Sequence, residues 1–208
     1  MDAAGYFHYL KSYLDTEYYG VFPNMYGVLT LKERISTPDG EVDQDIAINI
    51  PGDAFAIKLD TFYSLKKQRP KKVTPAKPLF HFLNDEGKPW SRRCDYVLFH
   101  LKKTRIEIHC FEFKYKSIPV DSVISQLDAS EKWCRALVST IEIYTGQKKK
   151  PRVYRYVLSS CEEEKAASYL DGENKYLTRE PGIRHYFYHE IDNINISNLD
   201  HCAYKQIG

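Results

Sequence analysis

Residues 92–116 read RRCDYVLFHLKKTRIEIHCFEFKYK, and no other stretch limits the fold so tightly. Two runs dense in Val, Leu, Ile and Phe flank the short basic turn KKT, the pattern of two β-strands paired as a hairpin. Three charges sit in these otherwise apolar strands. Asp95 opens the first run, and Glu112 and Lys114 stand near the end of the second. Residues two apart share one face of a strand, so Glu112 and Lys114 project from the same side. Antiparallel pairing through the turn sets the start of the first strand opposite the end of the second. Asp95, Glu112 and Lys114 are therefore expected together at one end of the sheet.

The segments around this hairpin predict mixed α and β structure. Residues 3–19 show helical spacing through Tyr6, Tyr9, Leu10, Tyr13 and Leu14. A β-hairpin is expected over about 27–50, turned at TPDG, where Pro fixes φ and Gly admits the left-handed position. Asp53 is positioned to cap a helix in GDAFAIKLDTFYSLKKQ, although the apolar residues there also alternate in part. RPKKVTPAKP breaks the pattern as a loop, and PLFHFL reads as a short strand. DSVISQLDASEKWCRALVSTIEIYTG predicts a long helix capped by Asp121 and closed by Gly146, with Ile124, Leu127, Cys134, Leu137, Val138 and Ile141 on its apolar face. RVYRYVLSS then reads as a further strand, EEEKAASYL as a helix and IRHYFYHEI as an aromatic strand. The order strand, strand, strand, helix, strand predicts a sheet with helices on its faces. We divide the chain into an N-terminal helix and hairpin layer (1–78), a core (79–160) and a C-terminal extension of the same domain (161–208).

Composition narrows the class. The chain of 208 residues carries a net charge of only +2, which excludes a histone-like polycation. Its charge is clustered, with KKQRPKK and KKKPR as basic loops, and Lys71, Lys72, Lys148 and Lys149 are the candidates for phosphate contacts. Five cysteines show no metal-ligand spacing, which predicts free thiols in a reducing, cytoplasmic setting. No apolar run approaches the ~20 residues that span a bilayer, so no membrane partner is expected. His81, His100 and His109 lie on strands without an acid at ligand spacing and read as half-buried strand residues. No Gly-rich phosphate loop is present, which argues against an ATPase.

Two carboxylates with a lysine beside them have a chemical use. Hard carboxylate oxygens bind Mg²⁺, which keeps several waters and accepts phosphate oxygens. The ion lowers the pKa of a bound water, and a lysine orients that water or stabilises developing negative charge. The combination CDY, then FEFK beginning sixteen residues after Asp95, then a helix containing SQL, resembles the PD-(D/E)XK nuclease superfamily. The resemblance covers about 80–160 and implies a restriction-endonuclease-like α/β/α sandwich with a central mixed sheet. By position it makes Asp95 the first metal-binding acid, Glu112 the second, Phe113 the residue whose carbonyl joins them, and Lys114 the catalytic lysine. Gln126 falls where several branches place a glutamine facing the metal. Cys94 stands where the family usually has proline. Glu17 and Asp60 are the candidates for an additional acid. The EXK pattern recurs at Glu86, Glu163 and Glu173, but only Glu112 and Lys114 lie in an apolar alternating strand.

The resulting expectation is a Mg²⁺-dependent nuclease, with Mn²⁺ as a substitute, acting on phosphodiester bonds in DNA, with a homodimer allowed. By that resemblance alone, a stand-alone catalytic domain of this size suits a restriction, repair or defence nuclease. The alternative is a non-catalytic nucleic-acid-binding or protein-interaction module that keeps the fold, and RNA is the other substrate the same chemistry serves.

Overall fold

The computed structural model describes residues 1–16, 20–37, 40–59, 89–199 and 204–207. Helix α1 (Ala3–Tyr13) precedes a short β1 (Gly20–Val21), the hairpin β2 (Val28–Thr37) and β3 (Gly40–Asn49), and β4 (Ala54–Lys58). Then come β5 (Tyr96–Lys102), β6 (Arg105–Lys114), the long α2 (Val120–Thr145) and β7 (Arg152–Ser159). The chain ends with α3 (Glu163–Ala166), β8 (Tyr176–Leu177), β9 (Glu180–Phe187), α4 (Tyr188–Ile191), β10 (Ile194–Asn195) and β11 (Lys205–Gln206).

The molecule is mixed α/β around a mixed central sheet in the order β1-β4-β5-β6-β7-β9-β8, with β11 paired to β7. β4, β5 and β6 run antiparallel in sequence, whereas β6, β7 and β9 are parallel. The parallel step from β6 to β7 is bridged by α2, as a crossover requires. A separate three-stranded sheet, β10-β3-β2, forms a second layer.

Alternation sends the strand residues into two cores. Val97, Phe99, Ile106, Ile108 and Cys110 face α1 and α2, where they meet Tyr6, Phe7, Leu10, Leu127, Cys134 and Val138. Tyr96, Leu98, Phe111, Tyr154 and Tyr156 face the other way and pack on Leu29, Leu31, Ile46 and Ile48 of the hairpin layer. The central strands are covered on both sides, which is why they read as nearly continuous apolar runs. Arg155, buried on the helix side, spans from Asp128 of α2 (2.5 Å) to Glu180 of β9 (2.6 Å) and ties that helix to the sheet.

Three expectations change. The start of the segment after Asp53, Ala54–Lys58, forms β4 and not a helix, because Phe55 and Ile57 serve one core while Ala56 serves the other, a period of two; residues 60–68 of that expected helix lie outside the described residues. The helix expected to begin at Asp121 starts at Val120 behind Pro119 without a side-chain cap. Asp121 instead pairs with Arg179 at 2.7 Å. The helix expected over residues 3–19 ends at Tyr13. Gly146 does close α2, in the left-handed conformation at φ 66°. PLFHFL, with His81, lies outside the described residues. Among the described residues, no helix is long and apolar enough to cross a membrane.

Candidate active site at the strand ends

The hairpin register pairs Tyr96 with Phe111, so the residue before β5 faces the end of β6. The Phe113 N–H donates to Asp95 Oδ2 at 2.6 Å, which locks the carboxylate against the second strand. Lys114 Nζ donates to Glu112 Oε1. Asp95, Glu112 and Lys114 share the strand parity of the α2-facing core and continue its row to the sheet end. Phe113 points its ring to the opposite face, against Tyr96 and Tyr188. Its N–H faces Asp95, and its carbonyl lies on the same flank of the strand.

The acids are deeply held: Asp95 is 7% exposed and Glu112 1%. Burial pushes the Asp95 carboxyl well above the usual carboxylate range, and the charges of Glu112 and Glu33 raise it further. The Phe113 N–H and Lys114 oppose that rise without cancelling it. Glu33, on β2 in the layer over the opposite sheet face, pairs with Lys58 at 3.0 Å, and its charge acts on Asp95. Tyr188 closes the floor by donating its hydroxyl to the Lys114 carbonyl at 2.7 Å. Burial and the same three acids hold the Tyr188 phenol up. Asp95 and Glu112 thus place two carboxylates beside Lys114 in a poorly solvated place. Such a set of hard oxygens fits a divalent cation.

Gln126 lies half-buried on α2 and donates through Nε2 to the Arg93 carbonyl at 3.3 Å, while its Oε1 accepts from Ser122 at 3.1 Å. It is therefore fastened to the segment that leads into Asp95. One turn later Ser130 accepts the Cys94 N–H at 2.7 Å. Gln126 also lines a cleft of about 560 Å³ together with Arg92, Arg93, Ser122 and Ser125 at the start of α2. Arg92 Nη1 is held there by Ser125 Oγ at 2.5 Å. Cationic guanidinium groups beside a helix start favour an anion such as phosphate, against the Asp121 carboxylate that also lines the cleft.

Not every predicted residue joins this place. Lys148 and Lys149 follow the far end of α2, a helix of 26 residues and so ~39 Å long, away from the acids. Lys148 pairs with Glu142 at 3.1 Å. Lys71, Lys72, Glu17 and Asp60 lie outside the described residues. Glu33, Lys58 and Tyr188 carry no local signal in the sequence, since their place depends on how the hairpin layer folds over the sheet. Arg92 and Arg93 did carry one, standing directly before Cys94 and Asp95.

The reading of His100 and His109 also changes. Both are fully buried, and Glu107 lies within ligand reach of them. The signal was present in the EIH triplet, whose outer residues share a strand face.

No family model, curated protein or solved structure matches the chain.

Proposed function

We propose that the chain is a Mg²⁺-dependent nuclease of the PD-(D/E)XK type that hydrolyses phosphodiester bonds, with DNA as its substrate. The observation that carries this reading is the meeting of Asp95, Glu112 and Lys114 at one strand end, with the Asp95 carboxyl driven up by burial and by Glu112. Carboxylates that raise one another in this way are relieved by a hard dication. The order α1, β4, β5, β6, α2, β7, with the four strands side by side, supports a restriction-endonuclease-like core.

Asp95, Glu112 and the Phe113 carbonyl would hold the ion, with Mn²⁺ as a substitute. When bound, the metal supplies an acidified water and offsets negative charge at phosphorus. Lys114, one-fifth exposed at the rim, orients the attacking water and stabilises the charge that develops. The water oxygen bonds to phosphorus as the bond to the leaving sugar oxygen breaks, and that oxygen takes up a proton. Gln126 steadies the strand that carries Asp95, and Arg92 and Arg93 take a neighbouring phosphate of the substrate strand. The buried free thiols of Cys94, Cys110, Cys134 and Cys161 support a reducing, cytoplasmic setting.

One observation favours a second reading. Glu112 is 1% exposed, which suits a non-catalytic module whose acids only hold the strand ends. Plasmid DNA, linear DNA and RNA incubated with the purified protein in Mg²⁺, Mn²⁺ or EDTA separate the two. Cleavage that EDTA abolishes supports the nuclease; retention on a gel without cleavage under any condition supports the module.

A further inference from the structure

A second cluster lies on the other face of the same hairpin, toward its turn. The β5–β6 register pairs His100 directly with Glu107, and His109 follows two residues later on the same face. One donor atom from each of the three lies within 4.8 Å of the other two. His100 is 1% exposed, Glu107 3% and His109 0%. We propose that His100, Glu107 and His109 form a structural site for a zinc-type divalent ion that clamps the β5–β6 hairpin.

The state of His100 supports this assignment. Its Nε2 lies 3.2 Å from the Pro51 carbonyl, which can only accept, so Nε2 carries the proton. Nδ1 then presents a lone pair, and that buried atom has no hydrogen-bond partner among the described residues. An imidazole fastened to a backbone carbonyl by one nitrogen and left with the other available is the usual arrangement of a metal-bound histidine. Tyr154 stacks on His109 at 5.3 Å and supplies an aromatic wall.

The donor set decides the class of ion. Two imidazoles and one carboxylate suit zinc and its first-row neighbours, whereas Mg²⁺ prefers an all-oxygen site. Complete burial of the three ligands fits an ion retained with the fold better than one exchanged during catalysis. Lys102 competes for the carboxylate, its Nζ standing 3.3 Å from Glu107 Oε2. Its side chain is 34% exposed, so it can swing to solvent when an ion takes over the charge. The cluster is separate from the acids at the sheet end: Glu107 and Glu112 are ~17 Å apart along β6 and point to opposite faces.

The test is titration of EDTA-treated, dialysed full-length protein with Zn²⁺, read by a competing chromophoric chelator and by thermal unfolding. Wild type should bind one Zn²⁺ per chain and melt at higher temperature with it. Glu107→Gln keeps the side-chain shape and should bind Zn²⁺ at least tenfold more weakly, while Glu112→Gln should bind it as wild type does. Co²⁺ titration of wild type provides a readout that needs no variant, with visible d–d bands of a low-coordinate nitrogen and oxygen site expected. Zn²⁺ binding that Glu107→Gln leaves intact, or that Glu112→Gln removes, overturns the proposal. So does a wild-type Co²⁺ spectrum identical to that of the aqueous ion.

Discussion

Burial displaces the chemistry of Asp95, and its titration has a definite sign. Its pKa is higher in the folded chain than the value of about 3.9 expected when unfolded. The folded state therefore holds the proton more tightly. The stability this gives is complete below the unfolded value and is lost as pH rises through the folded one. Without divalent ions, Asp95→Asn, which keeps an acceptor for the Phe113 N–H, should melt above wild type at neutral pH and converge with it near pH 4 and below. His185 contributes in the opposite direction, because burial lowers its pKa from about 6.5 to about 4 and stability from it rises over that interval. The comparison is thus between variant and wild type at each pH. A gap that does not change between pH 4 and 7 would mean that Asp95 is an ordinary carboxylate. Ser130 acts on the same stretch. Replacing it with Ala leaves the Cys94 N–H buried and unpaired, at a cost of about 1–3 kcal/mol. Chemical denaturation should show that loss as a lower midpoint with an unchanged slope.

Among the elements, the β5–β6 hairpin, the β2–β3 hairpin and α2 were legible because each has one strong local pattern: alternation about a turn, or an apolar stripe ended by glycine. The placement of Asp95, Glu112 and Lys114 together at one sheet end was legible for the same reason, since strand parity and hairpin register are local rules. β4 was not, because Asp53 offers a cap signal and five residues are too few for period two to outweigh it. Glu33 and Lys58 were hidden because packing between the two sheets, and not chain proximity, brings them to the site. His100 and Glu107 become a pair only once the register is known. The basic residues divide in a way composition does not reveal. Arg92 and Arg93 border the cleft near the acids, whereas Lys148 lies beyond the other end of α2, paired with Glu142. Changing both arginines to Gln should weaken DNA binding and reduce the slope of log affinity against log salt by about 1–2. The Lys148→Gln, Lys149→Gln double variant should change that slope less. Equal slopes in both variants would remove the cleft from the binding surface.

At the scale of the whole molecule, one sheet carries two chemically distinct clusters of polar side chains at its two ends. Hard oxygens gather where β5 begins and β6 ends, and imidazoles gather near the β5–β6 turn on the opposite face. α2 crosses from β6 to β7 beside the acids, with Gln126 and Ser130 holding the segment before Asp95 in place. The hairpin layer closes over the other face and carries Glu33, paired with Lys58, whose charge acts on Asp95. If the proposed nuclease centre and metal clamp hold, catalysis belongs to one end and stabilisation to the other, so loss of either set should leave the other function measurable. The claim that the acid end is a nuclease centre is tested most directly by the rate of plasmid cleavage in Mg²⁺ by wild type and by Lys114→Ala. Lys114 is not a metal ligand in this account, so the variant should fold and respond to Mg²⁺ as wild type does. Its cleavage rate should fall by about 10²–10³. Wild type that cleaves no nucleic acid in Mg²⁺, or a Lys114→Ala variant that cleaves as fast as wild type, would contradict the account.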